Sequence, residues 1–403
     1  MNRLVVEAEV RTPLWLVLRF PVLLKDKSMT CITFRMLMLG LLLAPVLCWA
    51  AEPKAEEARA IAEIAKLNGR VTRNEKGPDK PVILVDLAGS AVTDAGLEYI
   101  KGMTQLQVLE LTSARKFTDA GLVILKGLPQ LQMLDLMDTE ITDAGIEHIK
   151  CLTQLQTLNV GLTRVTDAGL VHLKDLTKLR TLDLGYVPVT DAGLIHLKGL
   201  ARLQSLCLSH SKVTDAGLVH IEYLTRLESL DLGNTEVTDA GLERLQHLPQ
   251  LTSLDLWSAK LTDAGLVHLK GLTKLTFLNL GHTQVTGSGM IHLNGLTELE
   301  SLRLRLTKVT DAGLVHLKDL TKLRFLDLRE TKVTDIGLHH LKELTLLRSL
   351  NLAGTQITDA GIIHLKVLTN LQRLDVRDTN VTYVGIKAIH EALPKCVIGM
   401  ICN

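Results

Sequence analysis

Residues 309–321 read VTDAGLVHLKDLT, and residues 165–177 read VTDAGLVHLKDLT as well. A close variant, LTDAGLVHLKGLT, occupies 261–273. The Asp of the phrase stands at Asp94, Asp119, Asp143, Asp167, Asp191, Asp215, Asp239, Asp263, Asp311, Asp335 and Asp359. The first interval is 25 residues; the rest keep a period of 24, with Gly287 and Tyr383 in two further slots of the series. Self-similarity at a fixed period of this size signals a repeat array. Length alone, 403 residues, would suggest two or three domains of roughly 150 residues each. The period overrides that prior, because stacked repeats share one continuous core.

Between the TDAGL phrases lies a second phrase: LQMLDL at 131–136, LRTLDL at 179–184, LESLDL at 227–232 and LRFLDL at 323–328. Its last two Leu residues flank a polar one, the period-2 alternation of a strand with one buried face. The TDAGL half keeps another rhythm. Leu266, Leu269 and Leu272 recur every three residues, which suits the inner face of a short helix or tight helical turn. Thr at the N-cap accepts a free backbone N–H of the first turn. Asp after it places negative charge at the positive end of the helix, and the Lys seven residues on (Lys150, Lys174, Lys198, Lys270) sits near the other end.

This strand-plus-helix unit resembles a leucine-rich repeat, L-x-x-L-x-L-x-x-N/C-x-L. The match covers roughly residues 82–393, in thirteen copies. Thr139, Thr163, Thr235, Thr283, Thr307, Thr331, Thr355 and Thr379 hold the place usual for Asn or Cys. With VTDAGL, the pattern is most similar to the cysteine-containing subtype known from F-box proteins and bacterial exported repeat proteins. That subtype is usually slightly longer, and here a hydroxyl replaces the amide or thiol. Val187 and Ala259 break even the Thr ladder, so a backbone group there must find another partner. The resemblance implies an α/β solenoid (a horseshoe) of about thirteen 24-residue repeats, with a parallel concave sheet and short convex helices.

A repeat array needs a cap over its open end. Residues 52–81 carry one candidate: an amphipathic pattern, KAEEARAIAEIAKL at 54–67, then a polar turn EKGPDK leading to the first strand. Residues 394–403 supply a last strand at the other end. Residues 1–51 read as a leader. The apolar run MLMLGLLLAPVL at 36–47 is too short to span a bilayer. With Arg35 before it and Cys48-Trp49-Ala50 after it, it fits a secretory signal peptide cut near Ala50. Met29 or Met36 would serve as an alternative start, leaving 1–28 untranslated. An uncleaved leader is the one route to a membrane, and the expected location is exported: periplasm, cell surface or medium. A formal charge of +1 points to neither nucleic acid nor an anionic membrane. Of the six Cys, Cys31 and Cys48 would leave with the leader, Cys151 and Cys207 lie in different repeats, and Cys396 and Cys402 both fall in the last strand region, which makes no disulfide framework.

Three columns invite a chemical reading. His148, His172, His196, His220, His268, His292, His316, His340 and His364 recur five residues after the Asp slot. Zinc needs three or four ligands about 2 Å from one point, whereas packed helices lie about 8–10 Å apart. The column is therefore a repeated flank, and no metal is expected. A second ladder runs through the strands, with Asp86, Glu110, Asp135, Asn159, Asp183, Asp231, Asp255, Asn279, Asp327, Asn351 and Asp375. It reads as a solvated polar face or as an acidic track for a basic partner or calcium.

The third feature is where duplication is broken. Trp257, Phe277, Arg303, Arg305, Phe325 and Arg329 replace the Ser, Asp and Gly of most repeats, and His282, Leu306 and Glu330 edge the same stretch. Exposed aromatics beside Arg are the material of interface hot spots. The neighbouring TGSGM at 286–290 has lost its Asp. A weaker cluster is Met137, Leu162, Tyr186 and His210. No Gly-rich phosphate loop, G-x-S-x-G, H-E-x-x-H or C-x-x-C occurs. The reading is a non-enzymatic interaction module, without cofactor, that binds a protein or a glycan on its concave face through Trp257, Phe277, His282, Arg303, Arg305, Phe325 and Arg329. The alternatives are an F-box-like substrate adaptor of a ubiquitin ligase, by subtype analogy alone, and a hydrolase using concave carboxylates.

Overall fold

The computed structural model of the chain describes residues 55–76 and 79–399. The leader read at 1–51 and the last four residues of the C-terminal segment lie outside the described residues. The repeats build one sheet of 15 strands whose order in space is their order in sequence. Strand Arg70–Arg73 pairs antiparallel with Val82–Asp86, and every later pair, through Val397–Gly399, is parallel. A helix over 55–66 precedes the sheet and buries Ala60 and Ile64. This is the expected α/β repeat solenoid.

One repeat shows how the sequence makes it. Leu131, Leu134, Leu136, Ile141, Ile146, Ile149 and Leu152 are all at most 1% exposed. At about 1.5–3 kcal/mol per buried aliphatic side chain, these columns drive the stacking. The strand is only three residues, Met133–Asp135, and its helix runs Asp143–Ile149. In most repeats the helix is a single α-turn that tightens, as at Asp167–Leu170 followed by the 3-10 turn Val171–Leu173. The three-residue Leu spacing suits that tightening, although Asp143–Ile149 keeps the same spacing in an α-helix. The first, 25-residue interval keeps Ala114 and Phe117 buried and loops its extra residue out at the exposed Arg115–Lys116.

Inside the turn after each strand, the Thr ladder closes on itself. Thr139 Oγ1 donates to the Leu136 carbonyl at 2.6 Å, and Thr163, Thr235 and Thr283 do the same to theirs. Where the hydroxyl is missing, backbone N–H groups alone serve: Val187 N–H donates to Leu184 O and Ala259 N–H to Leu256 O. Ser211 occupies the same slot, but its buried Oγ has no partner.

The Asp of TDAGL has a role beyond the helix dipole. Asp167 Oδ1 accepts the Thr190 N–H at 2.8 Å, and Asp167 Oδ2 accepts the Thr190 hydroxyl at 2.6 Å. Thr190 Oγ1 in turn accepts the Ala192 N–H at 3.3 Å, capping its own helix. Each carboxylate thus clamps the next repeat to its own. The pair recurs from all eleven Asp residues, with N–H bonds of 2.7–2.9 Å and hydroxyl bonds of 2.5–2.9 Å. The Gly of DAG is there for the same reason. A Cβ on Gly217 would lie 2.3 Å from Asp191 Oδ1, so only glycine lets the clamped carboxylate sit against the next helix. The clamp fails at one junction. Gly287 has no carboxylate, and Thr310 makes no side-chain cap bond. There the backbones close in instead: a Cβ on Gly313 would lie 2.8 Å from Gly287 Cα.

Two substitutions test the clamp. Asp191→Ala should lower stability by about 1.5–3 kcal/mol, the range for a lost bond to a charged group. Gly217→Ala should cost about 1–3 kcal/mol through overpacking. In the double variant the main clash partner is gone, so the costs should fall short of additivity by about 1 kcal/mol or more. Chemical denaturation of the four proteins checks this; strict additivity would mean that the glycine and the carboxylate do not constrain each other.

Candidate functional site

The face lined by the strands presents three columns of side chains. Its middle column is the Asp/Asn ladder, and most of its rungs have a structural occupation. Asp183 Oδ1 accepts the Gly185 N–H at 2.8 Å, Asp231 Oδ1 the Gly233 N–H at 2.8 Å, and Asp255 Oδ1 the Trp257 N–H at 2.9 Å. Each closes the turn that ends its strand. Asn rungs also relieve the charge column: Asn159 donates to Asp135 Oδ2 and Asn279 to both Asp255 oxygens. Burial, then the neighbouring Asp86 and Asp135, raises the Glu110 pKa, and burial raises that of Asp231. Among the described residues no group of three or more His, Cys, Asp or Glu side chains could hold a metal ion.

Against this background the broken rungs assemble. Phe277, Ser301 and Phe325 are register partners on three adjacent strands. The two phenyl rings therefore stand two strand spacings apart, about 9.6 Å, with small Ser301 between them. Arg303 fills the gap: its guanidinium carbon lies 5.0 Å from the Phe277 ring and 5.6 Å from that of Phe325. A cation between two ring faces is held in place without being neutralised. One column further, the Trp257 indole reaches across Gly281 toward Arg305, whose guanidinium carbon is 5.9 Å from its ring. A Cβ on Gly281 would lie 2.3 Å from Trp257 Cζ3, so the indole can lie flat only over a glycine. His282 stacks on Trp257 at 5.8 Å and bonds Ser258 Oγ through Nδ1 at 2.9 Å. The buried Nε of Arg305 has no partner.

Arg329 pairs with Glu330 at 2.9 Å. Arg303, Arg305 and Arg329 all act on Asp327, pulling its pKa down against the larger effect of burial, which raises it. All seven residues singled out in the sequence lie on this face. Trp257, His282 and Arg305 form one group, Phe277, Arg303 and Phe325 a second, and Arg329 borders both through Asp327.

The left-handed backbone of the column beside them was not legible in sequence, although several of its residues were singled out there. Leu162, Tyr186, His210, Asn234, Ser258, His282, Leu306 and Glu330 all have φ between 53° and 60°. This left-handed backbone costs a side-chain-bearing residue about 1–2 kcal/mol. Glycine takes it freely at Gly89 and Gly354. Leu162 and Tyr186 are nevertheless 42% and 53% exposed, so these side chains serve no core. Tyr186 stacks on His210 at 3.8 Å, and His210 Nε2 meets Asn234 Nδ2 at 3.1 Å. The Met137–Leu162–Tyr186–His210 group thus contains a second aromatic stack.

A leucine-rich repeat region model matches residues 91–336, and a leucine-rich repeat model matches 343–365 and 367–389. The chain belongs to the leucine-rich repeat family. The crystal structure of an internalin from Listeria monocytogenes is similar at 25% identity and TM-score 0.64, covering 85% of this chain and 94% of that one. A leucine-rich repeat protein of Leptospira interrogans is similar at 21% identity and TM-score 0.55, covering 75% and 80%. A TDR receptor shares the fold at 15% identity and TM-score 0.51, covering 80% and 64%. No curated protein sequence matches the chain.

The two features with direct tests are the thiol of the middle column and the left-handed column. Burial pushes the Cys207 thiol up to about 12. At pH 8 its thiolate fraction is then about one in ten thousand, and labelling should set in only near pH 11–12. Iodoacetamide labelling read by mass spectrometry checks this against the exposed Cys151. Leu306→Gly should leave the melting temperature unchanged or raise it, because relief of about 1–2 kcal/mol of backbone strain outweighs the ~0.5–1 kcal/mol entropic cost of glycine. A clear drop in calorimetry would show that Leu306 is held for packing.

Proposed function

We propose that the chain is a non-enzymatic interaction module that binds a protein partner on the face lined by its strands. The observation that carries this reading is Arg303 held between Phe277 and Phe325, beside Arg305 against Trp257. Buried anchors of Trp, Phe and Arg dominate interface energetics, and here they replace a polar rung that the rest of the face repeats. The guanidiniums are oriented before any partner arrives, which lowers the ordering cost of binding. Side chains kept in left-handed backbone along the same edge support the reading, since stability alone would favour glycine there. The carboxylate ladder is committed to closing turns, and that disfavours a hydrolase using those carboxylates. Similarity to an internalin and a receptor, both leucine-rich repeat folds, supports the same class. The leader pattern at 36–50 supports export and, with it, a partner outside the cytoplasm.

Affinity capture from extracts of the native host tests this directly. Trp257→Ala and Arg303→Ala should each weaken retention of the partner by about 30-fold or more, the equivalent of about 2 kcal/mol at a hot spot. Ser229→Ala and Gly233→Ala, on the unmodified part of the face, should change it little. Equal effects of all four would remove the patch as the site.

A further inference from the structure

A second site lies on another edge of the repeats, where the chain enters each strand. Two columns meet there, and four of their cations are answered by the neighbouring repeat. Lys178 bonds Gln154 at 2.6 Å, Lys274 bonds Gln250 at 2.6 Å, Lys322 pairs with Glu298 at 2.6 Å and Arg324 with Glu300 at 3.5 Å. Arg180, Arg202 and Arg226, in three consecutive repeats reading TKLRTL, ARLQSL and TRLESL, have no such partner. Arg180, Arg202 and Arg226 line one depression of about 290 Å3 together with Gln204. None of the three guanidiniums has an ion-pair or hydrogen-bond partner for its side chain among the described residues. The carboxylate of the next rung, Glu228, is engaged by Gln204 at 2.9 Å.

Three like charges on adjacent repeats repel one another, and water screens that repulsion only in part. The arrangement is complementary to a multiply charged anion. Guanidinium forks match the edges of a sulfate or phosphate group, two N–H bonds to two oxygens. The volume is at the small end of ligand pockets, about 300–1,000 Å3, and its lining is guanidinium and amide with no apolar ring. We propose that Arg180, Arg202, Arg226 and Gln204 form a binding site for a tetrahedral oxyanion, a sulfate or phosphate group, distinct from the aromatic–arginine patch. The group arrives either as the free ion or as an ester on a larger molecule; the shared chemistry is the anionic tetrahedral head.

Isothermal titration of the full chain with inorganic sulfate, inorganic phosphate, dextran sulfate and neutral dextran at low ionic strength tests this. The sulfate and phosphate probes should bind saturably and neutral dextran should not. Arg180→Gln and Arg226→Gln should each weaken binding about tenfold, the loss of one charge-assisted bond. Arg202→Lys, which keeps the charge and loses the fork, should weaken it less. Lys322→Gln removes a cation from the same column outside the depression and should have no effect. Tighter binding of dextran sulfate than of free sulfate, lost in the same variants, assigns the group to a polymer. Equal binding per sulfate, lost in the same variants, assigns it to the free ion. Absence of binding to all anions, or binding that the Arg180 and Arg226 variants retain in full, overturns the site. Surface Arg→Gln changes touch no buried group, and unchanged melting temperatures verify that each variant is folded.

Discussion

The fold depends on a carboxylate reaching across to its neighbour. Aliphatic columns supply the free energy of stacking, but they are non-directional and would tolerate several registers. The Asp–Thr clamp fixes the register, because two bonds from one carboxylate to the N–H and hydroxyl of one Thr allow a single relative placement. The same Thr then caps its helix. Local and inter-repeat structure are therefore set by one residue pair, and the glycine two positions after Asp follows from it. The phrase recurs because each copy must fit the copy before it.

Much of this was legible in the sequence, and the rest was hidden for physical reasons. The 24-residue period, the strand alternation and the Thr cap are local, and local periodicity reads directly as structure. The role of Asp was half visible. A helix dipole and a contact with the next repeat both favour Asp at that position, and no pattern within one repeat separates them. The seven candidate residues were found because they break a repeated column. How they meet was not, since the span from Trp257 to Arg305 depends on a glycine in the turn after the strand between. The left-handed column escaped notice because Leu, Tyr and His are poor signals for positive φ.

The two sites contrast in how they hold positive charge. On the strand face, guanidiniums lie over aromatic rings, so the surface is cationic and apolar at once. At the strand entry, three guanidiniums line a polar hollow. The first suits a partner that excludes water over a broad area; the second suits a small, strongly hydrated group held by directed bonds.

Gly287 carries a consequence for cooperativity. A stack of repeats behaves as a one-dimensional chain in which each unit feels only its neighbours. Eleven junctions among the described residues share the carboxylate clamp, eight from Asp94 to Asp263 on one side and three from Asp311 to Asp359 on the other, the latter block holding Thr334, Thr358 and Thr382. Between Gly287 and Gly313 a close backbone contact takes the place of the clamp, while the core and the strand pairing continue across the junction. The array therefore has two clamped segments meeting at one unclamped junction, and Arg303 sits on the strand that spans it, with Arg305 two residues beyond. A partner that touches Trp257 on one segment and Arg329 on the other would restore the coupling that the missing carboxylate removes.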